Sequence, residues 1–494
     1  MPDGRATDRP LIAVAVLASF VAFLDGSVVN LALPAIAADL AHTGPSGLAL
    51  QQWVVDGYLL GLGALILVAG AVSDLFGRLN VLRTGLAVFA VASLLCAAAP
   101  TGWALVAARC LQGIGAAFLV PSSLAMINAR FTGAAQARAI GTWTAWTGTA
   151  FVVGPPLGGL LVDVLDWRWV FGINIVPLAV TLYLTTSLDR DEVSQRQWGR
   201  IDFVGAALCA VGLSTTVFAL IEQQRLGMSH PAVVVGLAVG LTCLLAFPFW
   251  ERRAAHPMMP LQLFTSRNFA VGNLATVFLY AAVSLGTLLV ALFLQESVGM
   301  SATQAGLATL PLPVLSFFLA RPFGTLAGLH GPRVYMAVGP IVAAVGFLLL
   351  AFSRRADSTT FDFWTQMLPG LVVFGVGLSI TVSPLTAAVL AAVDPAQSGI
   401  GSAVNNAVSR IAGLIAVAFT GVIIGAAGDS AFAPGDFAGF RQGMVVVAAL
   451  FAVAGLISAV GISNPQCDYR RVSPSGAAPL HDRATPPPNV TGRH

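Results

Sequence analysis

The 494-residue chain contains no lysine, and charged residues of both signs together make up only 10% of it. A soluble domain carries roughly 25% charged residues, so this composition argues against a soluble globular fold. The formal net charge of +3 is too small to indicate binding to nucleic acid. Instead the chain is rich in apolar residues: 57% are hydrophobic and the mean hydropathy is +0.84.

Cysteine and histidine are sparse and scattered. The five cysteines have neither a paired nor a metal-ligand spacing, and four of them lie in apolar segments, where cysteine acts as a small hydrophobe. The six histidines fall in loops, at segment ends or in the C-terminal tail. We therefore expect no metal, no cofactor and no enzyme activity, because the sequence offers no ligand cluster and no nucleophile–base constellation.

Long apolar segments fill most of the chain. A membrane-spanning helix needs about 20 mostly apolar residues. Fourteen segments qualify: 11–33, 49–70, 81–99, 103–128, 138–162, 168–187, 202–221, 232–250, 268–294, 303–327, 333–352, 363–391, 397–426 and 440–462. The sequence therefore predicts an all-α polytopic membrane protein with 14 transmembrane helices.

The arginines indicate the orientation of the chain. Cytoplasmic loops of membrane proteins are enriched in basic residues, and an even number of spans places both termini on one side. Eighteen arginines lie on that side, and five lie opposite: Arg168, Arg225, Arg354, Arg355 and Arg441. Both termini are therefore predicted to be cytoplasmic in a multi-pass protein of the cell membrane.

A repeated glycine pattern suggests how the chain is divided. The segment 70–78 ends the second predicted span, and its glycines recur in the segment 324–333, which ends the tenth. Parallel repeats of this kind build many transporters. We predict a six-helix half at 1–200, two inserted helices at 201–260, a second six-helix half at 261–463 and a tail at 464–494, whose Pro, Ser and Ala content predicts disorder.

Four ionisable residues lie deep inside predicted spans: Asp25, Asp56, Arg109 and Arg410. A charge at the bilayer centre costs ~3 kcal/mol or more, so such residues usually pair or line a polar pathway. By the helical rise, Asp25, Asp56 and Arg109 share one depth. Two carboxylates beside one guanidinium leave one carboxylate uncompensated, and burial then favours its protonated form. We therefore predict that these three residues couple transport to protons.

Each of these residues also has a structural alternative. Asp25 and Arg109 could form an ion pair that never titrates, and Asp56 could lie at the membrane–water boundary, where an acid costs little. Arg410 has no acidic partner in the sequence, so it either packs against backbone carbonyls or lines a cavity. Which of the two aspartates titrates stays open.

A weaker set of residues is a candidate for the wall of a substrate cavity. Aromatic faces suit large lipophilic molecules, although lipid-facing or core packing explains any single aromatic residue better. The set is Trp53, Tyr58, Gln112, Trp143, Trp146, Asn405 and Arg410. Glu222 and Glu296 end the seventh and ninth spans, and we expect both to reach the interface with water.

Five segments match the motifs of one known family in the expected order: 24–34, 70–78, 109–115, 141–159 and 166–174. On these residues the chain resembles the fourteen-span drug:proton antiporters of the major facilitator superfamily, over nearly its whole length to residue 463. It departs from them at Leu75 and Leu79, where the family usually carries basic residues, and at Ala150, which replaces a glycine.

This resemblance implies the major facilitator fold, with two six-helix halves and two extra central helices. It also implies proton-coupled efflux of drugs, antibiotics or related lipophilic molecules by alternating access. Proton-symport uptake of a metabolite and a non-transporting membrane sensor remain alternatives. The expected partners are a small-molecule substrate, protons and the lipid bilayer, and the oligomeric state stays open.

The resemblance further assigns gating to two groups of residues. They are Gly70, Asp74, Gly77 and Arg78 at the cytoplasmic turn, and Gly154, Pro155, Gly158 and Gly159 in the fifth span. We expect the two prolines at 155 and 156 to break the helical hydrogen-bond ladder and the glycines to let helices approach closely.

Overall fold

The part of the chain that the computed structural model describes is mainly α-helical. That part comprises residues 5–40, 42–45, 47–131, 133–188, 202–352, 361–394, 397–425, 431–432 and 437–464, and no β-strand occurs in it. The predicted disordered tail lies outside the described residues except for Asn464. The helices belong to one unit that ends at Ser463.

The helices are numbered here in chain order. They are α1 (Arg5–Leu40), α2 (Gly47–Phe76), α3 (Arg78–Ala97), α4 (Gly102–Arg130), α5 (Gly133–Val164), α6 (Trp169–Gly172), α7 (Ile175–Thr185), α8 (Phe203–Leu226), α9 (Pro231–Glu251), α10 (Arg267–Leu292), α11 (Ala302–Ala308), α12 (Pro311–His330), α13 (Arg333–Phe352), α14 (Phe363–Gln366), α15 (Leu368–Ala391), α16 (Ser398–Ala418), α17 (Thr420–Ile424) and α18 (Ala438–Gly461). A 3-10 turn, Leu261–Thr265, precedes α10, and a π-helical turn, Phe293–Ser297, follows it.

The described helical segments coincide with the predicted spans. Thirteen helical segments are long and apolar enough to cross a membrane, and each coincides with a predicted span. The sixth predicted span corresponds to the shorter apolar segment Trp169–Thr185, which contains α6 and α7. The prediction of an all-α polytopic membrane protein is confirmed. The number of spans is fourteen if α6 and α7 together count as one span, and thirteen if they do not.

Two sets of helices pack mainly among themselves. In the first set α2 and α3 pack on α4, and α1 packs on α4 and α5. In the second set α13 packs on α15 and α18, and α10 packs on α16 and α18. The inserted helices α8 and α9 pair with each other, and α8 also packs on α2. The two sets meet where α16 packs on α2 and where α11 packs on α5.

Small residues set the close approach of the first-set helices. A side chain at Gly113 of α4 would collide with the backbone of Tyr58, and one at Gly61 of α2 would collide with the backbone of Cys110. Without a hydrophobic driving force between helices in lipid, this backbone contact supplies the packing energy. It brings α2 and α4 together at the level of Arg109, so it also positions the site.

Helix α5 contains both prolines of the fifth-span motif. It runs continuously from Gly133 to Val164 through Pro155 and Pro156, so the backbone donors that these prolines lack do not end the helix. Proline removes one donor from the ladder but is tolerated in membrane helices when neighbouring groups satisfy the freed carbonyl. The carbonyl of Pro155 lies directly against Gly306 of α11, at the contact between the two sets.

Candidate functional site

A buried ion pair lies at the centre of the first set of helices. Arg109 Nη1 donates to Asp25 Oδ2 at 2.6 Å. The second carboxylate oxygen, Asp25 Oδ1, accepts hydrogen bonds from Gln112 Nε2 at 2.9 Å and from Asn174 Nδ2 at 2.8 Å. Asp25, Gln112 and Asn174 are fully buried and Arg109 is 2% exposed. Helices α1 and α4 and the residue before α7 therefore converge on one carboxylate.

The rest of the Arg109 guanidinium is also engaged. Its Nε donates to the carbonyl of Val54 at 3.0 Å, and Nη1 also donates to Gln112 Oε1 at 2.6 Å. The charged group lies 4.5 Å from the centre of the Tyr58 ring, a cation–π contact. A buried ion pair is stable only when its remaining donors and acceptors are satisfied, and these partners meet that condition.

Asp56 lies apart from this network. Its side chain is fully buried, and neither carboxylate oxygen has a hydrogen-bond partner in the described structure. Its neighbour Gly57 is the residue that faces Arg109 and α4. The structure thus brings Asp25 and Arg109 together but not Asp56, so the expectation of two carboxylates beside one guanidinium is wrong. The helical rise predicts how far along α2 Asp56 lies but not the direction in which its side chain points.

The face of α2 that carries Asp56 points between α8 and α16. Four residues before Asp56, Gln52 Nε2 donates to the carbonyls of Val417 and Ala418 of α16 at 2.8 and 3.1 Å. Residues three and four apart lie on one helical face, so Asp56 faces the same cleft. Seven residues further along α2, Gly63 faces Ile411 of the same helix α16.

Helix α8 contacts this face of α2 through polar groups. Glu222 accepts a hydrogen bond from Trp53 Nε1 at 3.1 Å and pairs with Arg225 at 2.8 Å. Gln224 Nε2 donates to Gln52 Oε1 at 3.4 Å. The prediction that Glu222 reaches the water interface is wrong, because its side chain is only 2% exposed and is held by α2. The inserted helix is therefore joined to the helix that carries Asp56.

Polar contacts also join the two sets of helices at one end of the bundle. They are Gln51 Nε2 to Glu296 Oε1 at 2.6 Å, Gln52 Nε2 to the Val417 carbonyl at 2.8 Å, and the amides of Ala302 and Thr303 to the Asp163 carboxylate at 3.1 and 2.8 Å. We call this end, defined by Gln51, Gln52, Asp163, Glu296 and Thr303, the closed end. Glu296 also accepts from the amides of Ala431 and Phe432, so its carboxylate ties together three segments.

The glycines of the fifth span lie beside this end. A side chain at Gly158 would collide with Val28 of α1, and one at Gly154 with Ser27. Gly159 faces the other way, where a side chain would collide with the backbone of Ala302 and Thr303 in the second set. The motif therefore permits close contact both within the first set and between the two sets.

The turn after α2 uses a left-handed residue. Gly77 has φ 88° and ψ 129°, a conformation that glycine adopts without strain, and it is the single residue between α2 and α3. The corresponding Gly331 has φ 85° and ψ 154°. Arg78 Nη1 donates to the carbonyl of Ala125 at 3.1 Å, which joins the turn to α4. The side chains at positions 70 and 74 lie outside the described structure, so the gating role of Gly70 and Asp74 stays a prediction.

The structure divides the candidate cavity residues into two groups. Trp53, Tyr58 and Gln112 are buried in the contacts described above, at 7%, 5% and 0% exposure. Trp143 is partly buried and donates to Ser19 Oγ at 3.1 Å, whereas Trp146 is 60% exposed. The buried group supports the ion pair and the α2–α8 contact rather than a cavity wall.

Asn405 and Arg410 lie on α16, both partly exposed. Asn405 Nδ2 donates to Asn273 Oδ1 at 3.1 Å and to Thr276 Oγ1 at 3.0 Å, which links α16 to α10. The Arg410 guanidinium lies 5.8 Å from the ring centre of Phe23 on α1. Arg410 therefore reaches from the second set of helices to the first.

Comparison with known proteins settles the family. Residues 15–271 and 272–485 each match the sequence model of the Major Facilitator Superfamily. The chain belongs to this superfamily of membrane transporters. The multidrug resistance protein Stp of Mycobacterium tuberculosis is 35% identical over 413 residues, which cover 83% of this transporter and 74% of that protein.

A second relative and a solved structure agree with this assignment. The methylenomycin A resistance protein of Bacillus subtilis is 33% identical over 424 residues, covering 85% of this transporter and 88% of that protein. The xylose transporter XylE of E. coli, in a partially occluded inward open conformation, superposes with a TM-score of 0.62 at 12% identity, covering 91% of this chain and 97% of that one. At this identity the structural likeness shows the fold alone.

Sequence reasoning missed several polar residues of this transporter. Gln51, Gln52 and Gln224 hold contacts between helices, yet each lies near the end of a predicted span, where a polar residue is unremarkable in the sequence. In the sequence, Asn174 belongs to the motif at 166–174. Its isolation in an apolar stretch was a usable signal, because a buried amide needs hydrogen-bond partners.

Proposed function

We propose that this transporter exports lipophilic small molecules, including antibiotics, in exchange for protons. The relatives named for multidrug and methylenomycin A resistance, at 35% and 33% identity, support drug export. The proton part of the proposal depends on one observation, the buried and unpartnered carboxyl group of Asp56.

In this proposal Asp56 carries the proton and Asp25 stays ionised. An ionised carboxylate that is buried without a partner is strongly disfavoured, whereas the neutral acid is tolerated. Asp25 already has a counter-charge in Arg109 and two amide donors, Gln112 and Asn174. The two aspartates therefore have different roles: Asp25 stabilises the helix packing through its ion pair, and Asp56 binds and releases a proton.

The position of Asp56 links its protonation to alternating access. Asp56 lies one helical turn from Gln52, whose bonds to α16 help to form the closed end. Separation of α2 from α16 at that end would bring water to Asp56, and the closed end can form again only when Asp56 is neutral. The arginine distribution predicts that the closed end faces outward, and each closure would then carry a proton inward. Release of the proton into the cytoplasm then completes the cycle.

The test uses purified protein in liposomes with an imposed proton gradient and a pH-sensitive dye inside. A panel of antibiotics and lipophilic dyes is added to the wild type, to Asp56→Asn and to a matched control, Asp39→Asn. Asp39 suits this purpose because its side chain is 46% exposed and pairs with Arg168 at 3.0 Å at the surface of the bundle. We expect proton movement opposite to substrate in wild type and control, and none in Asp56→Asn.

Two results would change the proposal. Substrate-driven proton movement that persists in Asp56→Asn would remove Asp56 from the coupling mechanism. Protons that move in the same direction as the substrate would indicate symport uptake instead of export. The control separates both results from a general effect of removing an acid, because Asp39→Asn makes the same chemical change at an exposed position.

A further inference from the structure

Arg410 is a cation inside the bundle with no counter-charge among the described residues. Its interaction in the structure is the contact with the Phe23 ring at 5.8 Å, and no ion pair or hydrogen bond of its side chain is found. The residue lies near the middle of α16, about 18 Å along the helix from its first residue. A lone charge at such depth is costly unless it faces a polar pathway or binds a partner.

The surroundings of Arg410 place it between the two sets of helices. Phe23 belongs to α1 of the first set, whereas Arg410 belongs to α16 of the second. Phe23 packs on Phe151 of α5 with ring centres 5.6 Å apart, and Phe151 is 46% exposed. Arg410 thus lies against Phe23, which in turn packs on the exposed ring of Phe151.

The acidic residues of the same region leave this charge unbalanced. Asp25 forms an ion pair with Arg109, and Asp56 faces the cleft between α2, α8 and α16, nearer the closed end than Arg410. Tyr58 donates its hydroxyl to the Ala22 carbonyl at 3.2 Å and is not an anion. In the state that the proposed function assigns to the closed form, with Asp56 neutral and Asp25 paired with Arg109, the Arg410 charge has no counter-charge beside it.

A polar stripe on α16 extends the site. Ser402, Asn406 and Arg410 recur every four residues, so they lie on one face of the helix, and all three are partly exposed. Asn406 Nδ2 donates to the Ser402 carbonyl at 3.1 Å, which fixes the side chain beside this face. A ligand held by Arg410 would therefore have amide and hydroxyl groups one and two turns away.

We propose that the transporter selects lipophilic small molecules that carry an anionic group. This inference rests on the proposed export function and names its substrate class. The planar guanidinium of Arg410 would bind a carboxylate, sulfonate or phosphate through paired hydrogen bonds, and Phe23 and Phe151 would contact the apolar body. A lipophilic cation would be repelled by the same charge at low dielectric constant.

The experiment measures equilibrium binding of two dyes to the purified full-length protein in lipid nanodiscs. Fluorescein and rhodamine 6G share a xanthene core, and the first is an anion whereas the second is a cation. Fluorescence anisotropy would be recorded for wild type, Arg410→Gln, Arg410→Lys and the control Arg441→Gln. Arg441 is a suitable control because it lies at the start of α18, exposed, against the ring of Phe352.

We expect the wild type and the control to bind fluorescein more tightly than rhodamine 6G. Arg410→Gln should weaken fluorescein binding about tenfold to a hundredfold, with rhodamine binding unchanged or tighter. Arg410→Lys should retain part of the affinity, because the charge remains but the planar fork is lost. The ratio of the two affinities is the readout, since a general folding defect would lower both.

Two outcomes would overturn the inference. One is a wild type that binds rhodamine 6G at least as tightly as fluorescein, or that binds neither. The other is an affinity ratio that Arg410→Gln leaves unchanged. Binding at equilibrium needs no proton gradient, so the binding experiment can fail while the transport experiment succeeds. Proton-coupled transport of cationic dyes would support the proposed export function and reject the anionic substrate class.

Discussion

Replacing Asp25 by Asn removes one charge of the buried ion pair and leaves the other in place. Arg109 is 2% exposed and Asp25 fully buried, so water cannot compensate the lost charge. The NH2 group of the new amide would also replace one acceptor oxygen, so it would face either Arg109 or the pair Gln112 and Asn174, all of which are donors. Breaking a buried pair at one partner costs about 3–5 kcal/mol, and we expect Asp25→Asn to lose stability in this range.

The matched comparison is Asp56→Asn. The Asp56 carboxyl makes no hydrogen bond, so the substitution removes no described contact and should change stability by about 1 kcal/mol or less. The double variant Asp25→Asn/Arg109→Gln should recover much of the loss, because it removes the charge that the single variant strands. With Arg109→Gln measured alone as well, these variants form a double-mutant cycle that gives the coupling between the two charges directly.

The assay is reversible unfolding of the purified protein in mixed micelles, followed by tryptophan fluorescence and far-ultraviolet circular dichroism. Asp25→Asn and Asp56→Asn of equal stability would refute the reasoning. That result would mean that Asp25 carries no charge in the folded protein, and the proton would then have to be assigned to Asp25 instead of Asp56.

Three further predictions concern the contacts around this site. Arg109→Lys should cost about 1–3 kcal/mol in the same unfolding assay, because an ammonium cannot serve Asp25, Gln112 and the Val54 carbonyl together; full stability would show that charge alone suffices. Glu222→Leu should lose about 1–3 kcal/mol relative to Glu222→Gln, since only leucine leaves the buried Trp53 N–H unpaired; equal unfolding curves would contradict this. Gly159→Ala should weaken the closed end and speed labelling of a cysteine placed at Gln51 by a membrane-impermeant thiol reagent, whereas Gly141→Ala, with open space beside it, should not; equal rates would exclude Gly159 from the gate.

Much of the fold follows from the sequence because lipid imposes a simple rule. Every backbone polar group in the bilayer must be satisfied within its own helix, so an apolar run of about 20 residues has one available structure. This rule located thirteen spans correctly. The rule is less accurate for the sixth span, because the segment after Trp167 forms two short helices, α6 and α7. Asn174 lies between these helices and donates a hydrogen bond to Asp25.

The arrangement of the polar groups was decided only by tertiary packing. The helical rise gives the depth of Asp56 but not the direction it faces, which depends on how α2 packs on α4, α8 and α16. For the same reason the sequence could not show that Glu222 meets Trp53, since their separation of 169 residues leaves no local signal. The sequence by itself therefore determined the membrane-spanning segments, their number to within one, and the residues that can carry a charge. The packing of those helices decided which charges pair, which one stays alone and where the two sets of helices touch.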